Sequence, residues 1–394
     1  MRCRRAWVAL ALMACAGAAQ AQSPATVRGP WRLDEGTTAT VQDVYLAASN
    51  PSVVSAAWIT SDGFAPGIYL RNRSALGIWQ PIMPIKGNVG GQPRDLAMAH
   101  DDAARLYMVW TALEGGRRRL HFARSDTPAL VTPASPLPLG DSAEAQFPAI
   151  AEAPGLGMIL VWQSESTTNT TIRAAALREN APPADLGVVS GASHSAMAPQ
   201  IISTKPLRVA WYQIDEIGGR VAVNEWDNGR WRAATVESLA GLLPQIGNVT
   251  LRAEADTLAA GWQEPDPAGI GKIALEVLGR ANAATTESTR RVMFETPPGE
   301  HTQLSMDGTP RGRLTVAWRN FADAGQEIRM RSIDADGRQS ESVALSPASQ
   351  RFAGRVDQVT IGDWSVAAWT DVARDGGHGG VYVSELNWQT PAGK

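Results

Sequence analysis

Apolar and polar residues alternate along this chain in short runs, and seven of the runs end in tryptophan: Trp58, Trp110, Trp162, Trp211, Trp262, Trp318 and Trp369. The intervals between them are 52, 52, 49, 51, 56 and 51 residues. The residues leading to each indole (53–57, 106–109, 158–161, 207–210, 258–261, 314–317 and 365–368) are mostly apolar on both faces, as in a strand covered on both sides. A polar turn containing glycine follows. A second, alternating strand then opens at Ile68, Leu120, Ile172, Val221, Ile273, Ile328 and Val381. Upstream of each indole run lies another strand, marked by Val44, Leu96, Ile150, Ile201, Ile246, Leu304 and Val359. Pro93, Pro148, Pro199 and Pro244 stand at its expected start, where a missing N–H is tolerated. A fourth strand is more variable and opens with Trp79 in the first repeat and Trp231 in the fourth.

A period near fifty residues built from four strands predicts an all-β chain folded as a seven-bladed β-propeller with four-stranded antiparallel blades. Residues 22–394 then form a single propeller domain. The residue before each tryptophan is Ala, Val or Gly, which leaves room for one blade to pack closely on the next, while the indole supplies buried area. Trp31 and Trp388 are 357 residues apart, seven periods of 51, so they occupy the same blade position. The N-terminal segment is therefore expected to complete the last blade beside the strands of Val366 and Val381. That closure removes an open sheet edge.

The first 21 residues read differently. Arg2, Arg4 and Arg5 precede an apolar run from Ala6 to Ala14, and Ala19-Gln20-Ala21 forms a small-residue cleavage site. This is a secretory signal peptide of bacterial type, too short to span a membrane. Leu12-Met13-Ala14-Cys15 offers a competing reading, a lipobox with a lipid anchor at Cys15. The mature chain is expected to be periplasmic or secreted. Both cysteines, Cys3 and Cys15, lie in the leader, so burial and strand pairing alone must hold the fold. Loss of three leader arginines takes the net charge from −3 to −6, and no basic stripe is present, so a nucleic-acid partner is not expected.

Leu106 to Arg124 shows an apolar strand, tryptophan, polar loop and a strand ending in arginine. Turns of Asp-box character follow strands elsewhere: Ser74-Ala75-Leu76-Gly77-Ile78-Trp79, Asp227-Asn228-Gly229-Arg230-Trp231 and Ser332-Ile333-Asp334-Ala335-Asp336-Gly337. In these features the chain resembles the sialidase-like, BNR-repeat propellers, with degenerate boxes. The resemblance implies the blade and not an activity. Enzymatic members of that family use six blades, an arginine triad, a Tyr–Glu pair, an acidic Asp and an Arg-Ile-Pro motif. Trp31-Arg32-Leu33 is the nearest segment to that motif and lacks the proline, so no catalytic residue is carried over.

In a propeller the loops entering the innermost strand and those following the tryptophan strand open on one face. The residues just before the innermost-strand markers are Asp43, Asp95, Ala149, Gln200, Gln245, Gln303 and Gln358. Six of the seven bear carboxylates or carboxamides, which predicts a ring of convergent donors and acceptors at the channel mouth. The same residues serve equally well as hydrogen-bond partners of neighbouring blades. Acidic residues in the loops after the tryptophans add negative potential, and Arg351, Arg355 and Arg374 are expected in upper loops of the last two blades. His100, His121, His194, His301 and His378 show no metal-ligand spacing. A cluster of His301, His378 and Asp375 is conceivable across the last two blades.

No nucleophile elbow or phosphate loop is present, and no cofactor is expected. These features favour a monomeric, non-enzymatic binding module that presents its channel face to a protein, peptide or glycan. A glycoside hydrolase using Asp43 and Asp95, or an envelope-assembly scaffold, are the alternatives.

Overall fold

A computed structural model describes residues 25–388 except 36–39, 51–52, 62–66, 128–129, 140–142, 180, 192–194, 204, 216–217, 239–248, 255–256, 266–270, 281–289, 295–299, 310–312, 323–324, 335–336, 348–351 and 373–378. The leader, Gln245, Ile246, Pro244, His194, His378 and Asp375 lie outside the described residues, as do the side chains of Gln303 and His301.

The chain forms seven antiparallel sheets arranged as the blades of a propeller. In blade 1 the order from the axis outward is Val41–Asn50, Val53–Thr60, Gly67–Arg73 and Met83–Pro84. Blade 2 differs only in its outer strand, which is split into Leu130–Val131 and Ser135–Pro136. Each innermost strand packs on that of the next blade, and Phe352–Ile361 of blade 7 returns to Val41–Asn50 of blade 1, so the ring closes.

The tryptophans are the fastening of this ring. All seven are buried, and each belongs to a core shared with the blade before it. Trp110 of blade 2 packs with Tyr45, Ile59, Ile68 and Leu70 of blade 1. Trp58 of blade 1 packs with Val366, Val381 and Val383 of blade 7. The small residue preceding each indole has the expected purpose. At Gly261 a Cβ would fall 2.7 Å from Leu304 Cδ2 and 2.6 Å from Met306 Sδ of blade 6.

Thr26–Arg32 is the outer strand of blade 7, with Trp31 opposite Val383 and Arg32 opposite Tyr382. Beyond it, Asp34 is fully buried and accepts a hydrogen bond from the Val381 N–H at 2.9 Å. Arg71 of blade 1 donates to the Leu33 carbonyl at 2.8 Å, and Arg73 of blade 1 pairs with Glu385 of blade 7 at 2.6 Å. The closing seam is therefore held by charge-assisted bonds as well as by apolar burial.

The innermost strands carry β-bulges. Two residues oppose one at Phe147-Pro148 in blade 3, Ala198-Pro199 in blade 4 and Asp95-Leu96 in blade 2. Gln92-Pro93 forms a second bulge in blade 2. Pro93, Pro148 and Pro199 thus sit inside strands rather than at their starts, at points where the ladder is already interrupted and no N–H is required.

Candidate functional site

The bulges decide which side chains share a level. Counting along the ladder, the residues opposite the one before each tryptophan are Tyr45, Ala97, Ala149, Gln200, Thr250, Ser305 and Asp357. Of the ring expected from spacing, Ala149 and Gln200 lie at this level. Asp95 and Gln303 lie in the bulges before it, Asp43 lies opposite Ile59, and Gln358 is one residue beyond.

Gln358 does not reach the channel mouth. It is 3 % exposed, and its Nε2 donates to the carbonyls of Ser305 at 2.9 Å and Thr315 at 2.7 Å in blade 6. That amide fastens blade 7 to blade 6. Its neighbour Asp357 accepts from the Leu46 N–H of blade 1 at 2.8 Å and from the Ser305 hydroxyl of blade 6 at 3.1 Å. Gln200 is half-buried on its strand.

Asp43 and Asp95 do come together, with partners that spacing did not select. Arg355 is not in an upper loop. It is the second residue of the blade 7 bulge, inside Phe352–Ile361, and it is solvent-exposed. Its position matches that of Asp43 in blade 1, since each immediately precedes the partner of the tryptophan, Val356 in blade 7 and Val44 in blade 1. The Arg355 guanidinium lies 4.2 Å from the Tyr45 ring centre, and its Nη1 is 3.5 Å from the Tyr45 hydroxyl. The Tyr45 hydroxyl hydrogen-bonds Asp43 and accepts from the Leu96 N–H of blade 2. Asp95 Oδ2 accepts from the Thr111 hydroxyl at 3.1 Å.

Charge follows from this arrangement. Burial raises the Asp43 carboxyl above the ordinary range, and nearby Asp95 raises it further, while Arg355, Arg94 and the Tyr45 bond pull it down without cancelling the rise. Burial also drives the Tyr45 phenol upward, so it stays neutral and available as a hydrogen-bond donor. Desolvation works against the charge on Arg355, and the neighbouring Asp357, Asp43 and Asp95 oppose it, so the guanidinium stays cationic. The result is a fixed cation flanked by carboxylates across blades 7, 1 and 2. Among the described residues no three His, Cys, Asp or Glu side chains are placed to hold a metal.

Two other polar places do not compete. A cavity of about 190 Å³ at the seam of blades 2 and 3 is lined by Pro136, Leu137, Pro138 and Trp162, and its Arg119 donates to the Ala143 carbonyl. The Ser55–His100 contact, 3.1 Å long, is sealed between blades 1 and 2, with Ser55 only 1 % exposed.

No family model matches the chain, and no curated protein does. Solved structures match it over most of its length. A protein of unknown function from Dyadobacter fermentans is 11 % identical, covers 92 % of this chain and 99 % of its own, and superposes with a TM-score of 0.54. The polysaccharide lyase Uly1 is 8 % identical, with 91 % of each chain covered and a TM-score of 0.55. A subtype N11 neuraminidase-like protein of A/flat-faced bat/Peru/033/2010 is 11 % identical over 92 % of this chain and 94 % of its own, at 0.45. For the two that superpose above 0.5, such identities make the fold the shared property.

Proposed function

We propose that this chain is an exported, non-enzymatic propeller that binds a glycan at its channel mouth through Asp43, Tyr45, Asp95 and Arg355. The observation that carries the reading is the Asp43–Tyr45–Arg355 arrangement, which spans the closing seam. Planar carboxylate and guanidinium groups match vicinal sugar hydroxyls, and the Tyr45 phenol, hydrogen-bonded to Asp43, holds that carboxyl in place. Because these groups already hold one another, binding costs little reordering. The Uly1 structure, which is called a polysaccharide lyase, supports the reading only to the extent that such a propeller accommodates a glycan. Export rests on the leader-like residues 1–21.

Glycoside hydrolysis is the second reading, favoured by one observation: a carboxyl held above its ordinary range beside a second carboxylate, Asp95. Calorimetry with cellotetraose, chitotetraose and tetragalacturonate tests both. Binding without shortened products, lost in Arg355→Ala, supports the module. Shortened products that disappear in Asp95→Asn support the hydrolase. No binding of any of the three overturns the glycan reading.

A further inference from the structure

Phe147 is exposed at 47 %, although it stands on an innermost strand. Its backbone has φ of 45°, in the left-handed region that favours glycine. A bulky residue in that region costs about 1–2 kcal/mol. Burial offsets only part of that cost, because nearly half of the residue meets solvent. The bulge itself belongs to the fold, for Asp95 and Ala198 take φ of 52° and 49° in the equivalent steps of blades 2 and 4. What the fold does not explain is an aromatic residue there. Ala198 fills the same step with a methyl group.

Position supplies the explanation. Phe147 is the first residue of its bulge, as Asp95 is of the bulge one blade earlier. The innermost strands of blades 2 and 3 pack side by side. Asp95, one ladder step from Asp43 and Arg355, lies near enough for its charge to act on both, and Phe147 takes the equivalent bulge step one blade further round. The strand end that carries it is tied down by Gln146, whose Nε2 donates to Glu165 at 2.6 Å. A rigidly mounted, exposed ring next to convergent polar groups offers the flat C–H face of a pyranose an apolar surface, while its hydroxyls reach the polar set.

We infer that Phe147 is a stacking platform for a second sugar ring, adjoining the Asp43–Tyr45–Arg355 site. The inference rests on the proposed glycan reading. The strain makes the test sharp, since Phe147→Gly relieves the backbone while removing the platform.

The experiment measures binding of cellotetraose, chitotetraose and tetragalacturonate to the full chain and to Phe147→Gly, Phe147→Trp and Arg355→Ala, with thermal midpoints recorded for each. The expected result is a midpoint for Phe147→Gly equal to or above that of the parent, with binding at least threefold to tenfold weaker. Phe147→Trp retains binding. Unchanged affinity in Phe147→Gly, with loss in Arg355→Ala, overturns the platform and leaves the channel reading standing. A lowered midpoint in Phe147→Gly assigns the ring to the fold and also overturns it. If none of the three saccharides binds the parent chain, both readings fall together.

Discussion

The Arg355 guanidinium lies 4.2 Å from the centre of the Tyr45 ring, joining the last blade to the first. The two residues are 310 positions apart in sequence. Ring closure brings them together, so the site exists only in the completed propeller.

Arg355 therefore controls the charge of its neighbour. Its field opposes the rise that burial imposes on Asp43. In Arg355→Ala the Asp43 carboxyl is expected to titrate at still higher pH, and in Arg355→Lys, which keeps the charge without the planar stack, it moves less. Carbon-detected NMR titration of the Asp43 side chain reads both shifts. A downward shift in the alanine variant would refute the coupling.

His100 predicts a pH dependence of stability. Burial lowers its imidazole from 6.5 to about 4, with Asp101 opposing only in part. The folded chain thus resists protonation that the unfolded chain accepts. Stability is whole above about pH 6.5 and falls as pH drops toward 4, by up to about 3 kcal/mol for this group. Urea unfolding at closely spaced pH values is expected to show that slope in the parent and a flatter one in His100→Gln. Equal slopes would exclude His100 as its source.

The blade count and the closing strand were legible in the sequence because indole burial repeats with the blade. Trp31 does occupy the outer strand, but Trp388 follows directly on the third strand, Gly380–Asn387, so the two do not share a blade position. The site was legible only in part. Spacing picked out Asp43 and Asp95, which stand on innermost strands, but a β-bulge adds a residue to one strand and not to its partner, so counting from tryptophan loses the level. That is why Gln358, one step beyond, proves to be an inter-blade amide. Tyr45 was hidden as an ordinary strand aromatic, and Arg355 was placed in a loop. Pro93, Pro148 and Pro199 carried the signal but read as strand starts, whereas a proline within an inner strand marks a broken ladder.

Close blade packing makes Gly261 a sensitive position. An added methyl at 261 must displace Met306 and Leu304 of the next blade. Gly261→Ala is expected to lose about 1 kcal/mol, overpacking outweighing the entropy gained by replacing glycine. Met306→Ala alone opens a cavity, and the double variant is expected to be more stable than the sum of the two changes. Denaturant unfolding of the four proteins gives the coupling, and strict additivity would show that the two residues do not meet.

The closing strand carries the last prediction. Without residues 26–32, Gly380–Asn387 becomes an open edge with its N–H and C=O groups unpaired. Asp34, which the Val381 N–H and Arg32 satisfy, also loses its guanidinium partner. A chain lacking this strand is expected to melt at lower temperature and to self-associate through the exposed edge, as size-exclusion chromatography would show. A synthetic peptide of residues 25–35 restores the missing pairing in trans, because the register between Trp31 and Val383 is written in the strand itself. Rescue of the monomer by that peptide, and not by one with Trp31 and Arg32 exchanged, would tie closure to this register. A truncated chain that stays monomeric with an unchanged midpoint would show instead that burial between blades suffices to hold the ring.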